Sequence, residues 1–83
     1  MKNNILYKKS VSKDIKRIGH HSRLRIMSQI ETELSENPTC GKRLKGEYEG
    51  LSSFRIGDYR VIYTLIRDGI LILSIRHRKE SYR

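Results

Sequence analysis

Arg55-Ile56-Gly57-Asp58-Tyr59-Arg60-Val61-Ile62-Tyr63 is the stretch that decides the fold of this 83-residue chain. Gly57-Asp58 parts two runs rich in β-branched and aromatic residues, as expected of two strands that turn back on each other. Further out, Asp68-Gly69 lies between apolar or alternating runs, the strongest short-range hairpin signal. Leu51 to Ile56, Tyr59 to Arg67 and Ile70 to His77 are therefore predicted as successive strands of an antiparallel meander. In the middle strand Tyr59, Val61, Tyr63 and Leu65 share one face, and Arg60, Ile62, Thr64 and Ile66 the other. Both sets contain apolar members, so hydrophobicity leaves open which face meets the rest of the chain. Residues 70–73 are apolar on both faces, which predicts an interior strand covered by helices on one side and available to a partner on the other.

Upstream, Asn4 to Tyr7 reads as a short first strand. Ser10 or Ser12 is placed to cap a helix carrying Val11, Ile15 and Ile18 on one side. Gly19-His20-His21 interrupts that pattern. A second helix is expected from Ser22, with Leu24, Met27, Ile30 and Leu34 facing the core, and it ends at Asn37-Pro38 because proline disfavours helix in the residue before it. The predicted class is α+β, as a single domain over residues 1–83: an N-terminal strand, a two-helix hairpin, then a three-stranded antiparallel meander completing one sheet.

Lys and Arg number 18 against 9 Asp and Glu, a formal charge of +9. Such an excess favours a polyanionic or acidic partner, nucleic acid first. A chain this short has no room for a second catalytic domain or a cofactor-binding fold, so no cofactor is expected. No apolar run approaches a membrane span, and the first eight residues lack a signal-peptide core, which points to the cytoplasm and away from a membrane partner. Cys40 is the only cysteine. It makes no internal disulfide and, with no second ligand cluster around His20 and His21, no metal site is expected.

Cutting RNA without a metal needs a group to take the 2′-hydroxyl proton, cations to stabilise the phosphorane-like transition state, and an acid for the leaving 5′-oxygen. Arg55, Arg60 and Arg78 are permanent cations suited to bidentate phosphate contacts. His77 has the unperturbed pKa for proton transfer near neutrality, and Tyr82 is suited to stacking on or orienting a base. Lys45, Arg76 and Lys79 are taken as flanking RNA contacts. By contrast, Tyr59 and Tyr63 read as sheet-face packing, Asp58 as a turn residue, and Lys8, Lys9, Lys13, Lys16, Arg17, Arg23 and Arg25 as wet helix faces able to touch phosphates without specificity. Glu47 and Glu49 read as loop charges, with a general base as the alternative.

Leu44-Lys45-Gly46, the Phe54 to Tyr63 stretch, and His77-Arg78-Lys79 with Tyr82 resemble the RelE/ParE superfamily of toxins, its RelE branch most of all. The resemblance implies a ribosome-dependent endoribonuclease that enters the ribosomal A site, cuts mRNA to a cyclic phosphate and a 5′-hydroxyl, and is neutralised by a cognate RelB-like antitoxin. It makes Arg60 the transition-state arginine, Arg78 a second phosphate-binding arginine and Tyr82 the tyrosine at the scissile nucleotide. Arg55 stands where well-known RelE proteins carry a lysine proposed as general base, and Ser53 replaces a further lysine. A guanidinium hardly deprotonates, so Arg55 is assigned to charge stabilisation and His77 to the proton, with Glu47 or Glu49 second. Two rivals keep the fold: a ParE-like inhibitor of DNA gyrase, and a degenerate toxin surviving as a binding or repressor module.

Overall fold

The computed structural model describes residues 3–80. Strand β1 (Asn4–Tyr7) leads into helix α1 (Val11–Arg17) and helix α2 (His20–Gln29), which continues as a π-helical turn over Ile30–Leu34. Four strands follow: β2 (Lys42–Arg43), β3 (Ser52–Ile56), β4 (Tyr59–Ile66) and β5 (Gly69–His77). They form one sheet in the order β1-β5-β4-β3-β2. The meander is as expected and β5 is interior. The sheet is mixed, however, because β1 runs parallel to β5, pairing Asn4 to Tyr7 with Gly69 to Ile72. The two-residue β2 at the far edge had no sequence signal.

Both hairpins form, with different turns. Ile56 pairs with Tyr59, and Gly57, the first central residue, has φ +57° while Asp58 has none of the positive φ that a type I′ turn would require. That is the type II′ solution, which glycine permits at this position. In the second hairpin Ile66 pairs with Gly69, so the turn centres on Arg67-Asp68 and Gly69 already belongs to β5. Proximity to β1 explains why glycine stands there: a Cβ on Gly69 would overlap the Asn4 carbonyl oxygen and come within 3.0 Å of its carbonyl carbon and amide nitrogen.

The helical hairpin covers one face of the sheet. Val11, Ile18, Ile26, Ile30 and Leu34 pack with Ile56, Val61, Tyr63, Ile70, Ile72 and Ile75 in one core. Leu24, expected in that core, is 56% exposed, and Ile26 takes its place. Four residues overshoot one α-helical turn by roughly 40° but fall short of the wider π turn. The π segment therefore takes back the drift, and Ile26, Ile30 and Leu34 stay in line. His20 and His21 form the first turn of α2 rather than the inter-helix turn, and Ser10 stands at the N-cap of α1 but makes no side-chain cap bond, while the Ser12 hydroxyl donates to the Lys9 carbonyl at 2.9 Å. Tyr63 is fully buried. Its hydroxyl donates to the Pro38 carbonyl at 2.8 Å and accepts from the Gly41 N–H at 3.2 Å, pinning the chain between α2 and β2.

Tyr7 contrasts with Tyr63. Its buried hydroxyl has no hydrogen-bond partner, and burial, with Glu31 nearby, pushes its pKa above 10.0. An unsatisfied buried hydroxyl costs about 1–3 kcal/mol, so Tyr7→Phe should raise stability at pH 7 by about 1 kcal/mol. Tyr63 shifts in the same direction, again by burial. A raised folded-state pKa gives stability that is complete below the unfolded pKa and is lost as pH climbs through the folded one. Wild type should therefore weaken above pH 10, and Tyr7→Phe should weaken less. Urea midpoints at pH 7 and at about pH 11 test both statements; a phenylalanine variant less stable than wild type at pH 7 would refute the first.

Candidate functional site

The alternation of β4 and its pairing with β3 and β5 settle which side chains share the face away from the helices. Val61 and Tyr63 are core residues, so Arg60 and Ile62 point the other way. Arg55 pairs with Arg60, and Arg60 pairs with Arg76. Three arginines therefore form one row across β3, β4 and β5 on the open face. Directly paired residues on one face hold their Cβ atoms about 4.5–5.5 Å apart, where like charges destabilise a sheet. The next row on this face is Lys42, Ser53, Ile62 and Ser74, in which Ile62 is buried. Such a row suits an anion with several oxygens, a phosphate above all, because the guanidinium forks can bind it bidentately.

His77 does not join this row. It pairs with Tyr59 on the helix side, where the two rings meet edge-on, with centroids 5.1 Å apart and an interplanar angle of 86°. The His77 Nδ1 accepts the Lys79 N–H at 3.2 Å, an arrangement that leaves its proton on Nε2. Arg55, Arg60, His77 and Arg78, expected to act together, therefore do not share one sheet surface, because His77 lies on the helix side. The cause is a single residue. Counted from the observed turn, where Ile66 pairs with Gly69, an unbulged ladder sets Arg60 opposite Ile75 and so places His77 on the face of Arg60, but the register shifts between Ile62 and Tyr63, with Ile62 on Ser74 and Tyr63 on Ile72. Leu73 is the extra residue of a β-bulge, and one residue of slip exchanges the faces of everything beyond it. Arg76, expected only to flank the site, enters the row in place of His77.

Arg78 opens a short 3₁₀ turn, Arg78–Glu80. Its N–H donates to the Asp58 carbonyl at 2.7 Å, and its guanidinium lies 3.9 Å from the Asp58 carboxylate, with both side chains exposed. The backbone bond fixes the end of β5 against the β3–β4 turn, while the exposed ion pair is weak. Arg55 is exposed and its Nε donates to the Gly57 carbonyl at 3.3 Å. Lys79 is exposed in the same 3₁₀ turn as Arg78, and Lys45 lies on the connection after edge strand β2. Tyr82 lies outside the described residues. Among those described, no group of three or more His, Cys, Asp or Glu is placed to hold a metal, and no helix is long and apolar enough to cross a membrane.

A helical hairpin on one face of a five-stranded mixed sheet and a row of arginines on the other define a small basic α+β protein. Residues 5–82 match the family described as ParE toxin of type II toxin-antitoxin system, parDE. The toxin RelE of Mycobacterium tuberculosis is 36% identical over 78 residues, covering 89% of this chain and 79% of that protein. Toxin RelE3 of Methanocaldococcus jannaschii is 31% identical over 83 residues, covering 94% and 93%. Among solved structures, a chain of the toxin-antitoxin complex RelBE2 from M. tuberculosis matches with a TM-score of 0.89 at 23% identity, over 94% of this chain and 100% of that one. The chain belongs to the RelE/ParE toxin family of type II toxin-antitoxin systems.

Proposed function

We propose that this toxin is an mRNA interferase that acts in the cytoplasm, enters the ribosomal A site, cuts the message there and so stops translation. The observation that supports it is the Arg55, Arg60 and Arg76 row. In this reading the 2′-hydroxyl loses its proton to solvent as its oxygen attacks the adjacent phosphorus, the bond from phosphorus to the 5′-oxygen breaks, the leaving 5′-oxygen takes a proton from solvent, and the products are a 2′,3′-cyclic phosphate and a 5′-hydroxyl. Charge builds on the non-bridging oxygens, and Arg60 and Arg76, side by side on neighbouring strands, take the two oxygens. Arg55 extends the field toward the next phosphate, as do Arg78, Lys79 and Lys45 along the RNA. The row supplies the positive charge that a metal supplies elsewhere. His77 lies off the row on the helix side, so the rate is expected to lack an imidazole inflection, with His77 a packing residue that holds Tyr59 and the end of β5. Tyr82, carried over from the resemblance, would stack on the scissile nucleotide.

The partner that restrains the toxin is a cognate RelB-like antitoxin. The matched M. tuberculosis structure is a toxin-antitoxin complex, and a formal charge of +9 calls for an acidic partner surface.

A second reading has its own support in the ParE description of the matching family: inhibition of DNA gyrase without RNA cleavage. One experiment separates them. The chain is expressed from a tight promoter and mRNA 5′ ends are mapped for wild type, Arg60→Ala and His77→Ala, while the purified protein is added to gyrase supercoiling reactions. The interferase reading predicts cuts at codon positions on translated messages, absent in Arg60→Ala and retained to within about tenfold in His77→Ala, the lower bound for a general base being about 10². Growth arrest without cuts, together with blocked supercoiling, would establish the gyrase reading. Neither effect would leave a binding or repressor module.

A further inference from the structure

Arg76 sits on the least supported part of β5. The parallel ladder with β1 ends where Tyr7 pairs with Ile72 and the Lys8 N–H donates to the Ile72 carbonyl at 2.9 Å. Leu73 then bulges, and bulges sharpen twist and re-aim side chains. From Ser74 to His77 the strand has β4 on one side. On the other is a notch of about 210 Å³ whose lining includes Asp14, Arg17, Tyr59 and His77. One group from α1 bridges it: the Asp14 Oδ2 accepts the Ile75 N–H at 3.1 Å.

Asp14 is the only acidic residue between Lys8 and Arg25, a segment that otherwise carries Lys and Arg on nearly every turn. It is half-buried, and its carboxylate acts where the next residue of β1 would have donated or accepted had the strand continued. Backbone groups alternate sides along a strand, so an Ile75 N–H turned to Asp14 leaves the Arg76 N–H and C=O turned to β4, beside Arg60. The Arg78 N–H, two residues on, is also turned inward, to the Asp58 carbonyl. Arg76 is thus held between an outer clamp at Ile75 and an inner clamp at Arg78.

We propose that Asp14 is a positioning residue for the arginine row. As a substitute strand partner for Ile75, it fixes the post-bulge segment of β5 so that the Arg76 guanidinium stays aligned with that of Arg60. The inference rests on the interferase reading for its catalytic consequence, and on the Asp14 to Ile75 bond alone for its structural one. A competing account exists, because Asp14 is in the first turn of α1, where a negative charge favours the helix dipole. Asn keeps the accepting oxygen and removes the charge, so Asp14→Asn and Asp14→Ala tell the two apart.

The test measures cleavage of a short mRNA on programmed ribosomes at saturating toxin, with amide hydrogen exchange and Arg76 Nε–H relaxation on the same free proteins. Asp14→Ala should lower the maximal rate by about ten- to a hundredfold, since a misplacement of about 1 Å at a reacting group can cost about 10². Asp14→Asn should stay within about threefold of wild type. Ser12→Gly, which weakens the same helix at an exposed position, should keep the wild-type rate and so removes general destabilisation as the cause. Exchange should accelerate at Ile75 and Arg76 in Asp14→Ala only. Equal damage in the Asn and Ala variants, or an unchanged rate and exchange in Asp14→Ala, would overturn the proposal. If wild type cuts no RNA, exchange at Ile75 and mobility at Arg76 still decide the positioning role, while the nuclease reading falls by itself.

Discussion

Arg60→Ala and Arg76→Ala are each expected to lose about 10²–10³ of the RNA-cleavage rate, the usual cost of removing one donor that stabilises a developing oxyanion. The loss should fall mainly on the maximal rate, because RNA binding is shared with the other cations of the open face and with the basic helical layer. Loss of one phosphate contact weakens binding more evenly across sequences and lowers the salt dependence by about one charge. Stability should move the other way. Arg76 faces Arg60 across the β4–β5 pair, so taking away the Arg76 guanidinium relieves repulsion that a sheet registers at about 0.2–1 kcal/mol per pair. A variant that loses activity while its Tm holds or rises is what a site maintained against local stability predicts. Arg55→Ala should be milder than either, since Arg55 is exposed and its Nε is already engaged by the Gly57 carbonyl. Rapid-quench cleavage beside thermal melts on the same preparations checks all three. An active Arg76→Ala alongside an inactive His77→Ala would remove the row from the chemistry and return the site to the helix side.

Gly69→Ala carries the largest expected cost in stability. Gly69 has φ +155°, a backbone conformation that side chains other than glycine rarely adopt, and its missing Cβ points at the Asn4 backbone across the parallel β1–β5 pair. The neighbour is main chain in a paired strand, so it cannot swing aside as a flexible side chain would. Either β1 moves out or Gly69 changes conformation, and both break the β1–β5 ladder at its start. Overpacking of this kind costs about 3 kcal/mol or more, which for a domain of this size lowers Tm by roughly 12–24 °C. Gly19→Ala is the control: a Cβ there meets nothing within 4 Å, and Gly19 has the ordinary negative φ of −59°. Equal melting temperatures for the two variants would mean that β1 is not anchored through Gly69. Because β1 also sets where the ladder on β5 stops, Gly69→Ala should reduce cleavage in proportion to the unfolded fraction, unlike the arginine variants.

The difference between what was legible and what was not follows the range of the forces involved. The three strands from Ser52 to His77 were readable because side-chain alternation is a local property, and so were the turn at Gly57-Asp58 and the break at Asn37-Pro38. Arg55 and Arg60 were recognisable as phosphate-binding cations from residue type, while their pairing across the hairpin came from the structure. Tyr63 was expected to pack and does so fully. The helix face was misjudged at Leu24 because the π turn over Ile30–Leu34 leaves no clear mark on a pattern of apolar spacing. The parallel partner of β1 lies more than sixty residues along the chain, and no local pattern announces such a pairing. Asp14 could have been suspected as the sole acid in a basic segment, but its target is a backbone amide, which has no signature in sequence.

By itself the sequence determined the class of domain, the excess of positive charge, the strands that carry it and the residue types available for phosphate chemistry. Tertiary structure alone decided which of those residues meet. Leu73 is one residue more than the β4–β5 ladder can pair, and where the ladder absorbs it depends on how the core side chains of β4, β5 and the helices fit together. With the bulge between Ile62 and Tyr63, Arg76 faces Arg60 and His77 faces Tyr59. The physical reason is the period of two in a strand: a local defect of one residue costs little where it occurs, yet reverses the face of every side chain beyond it.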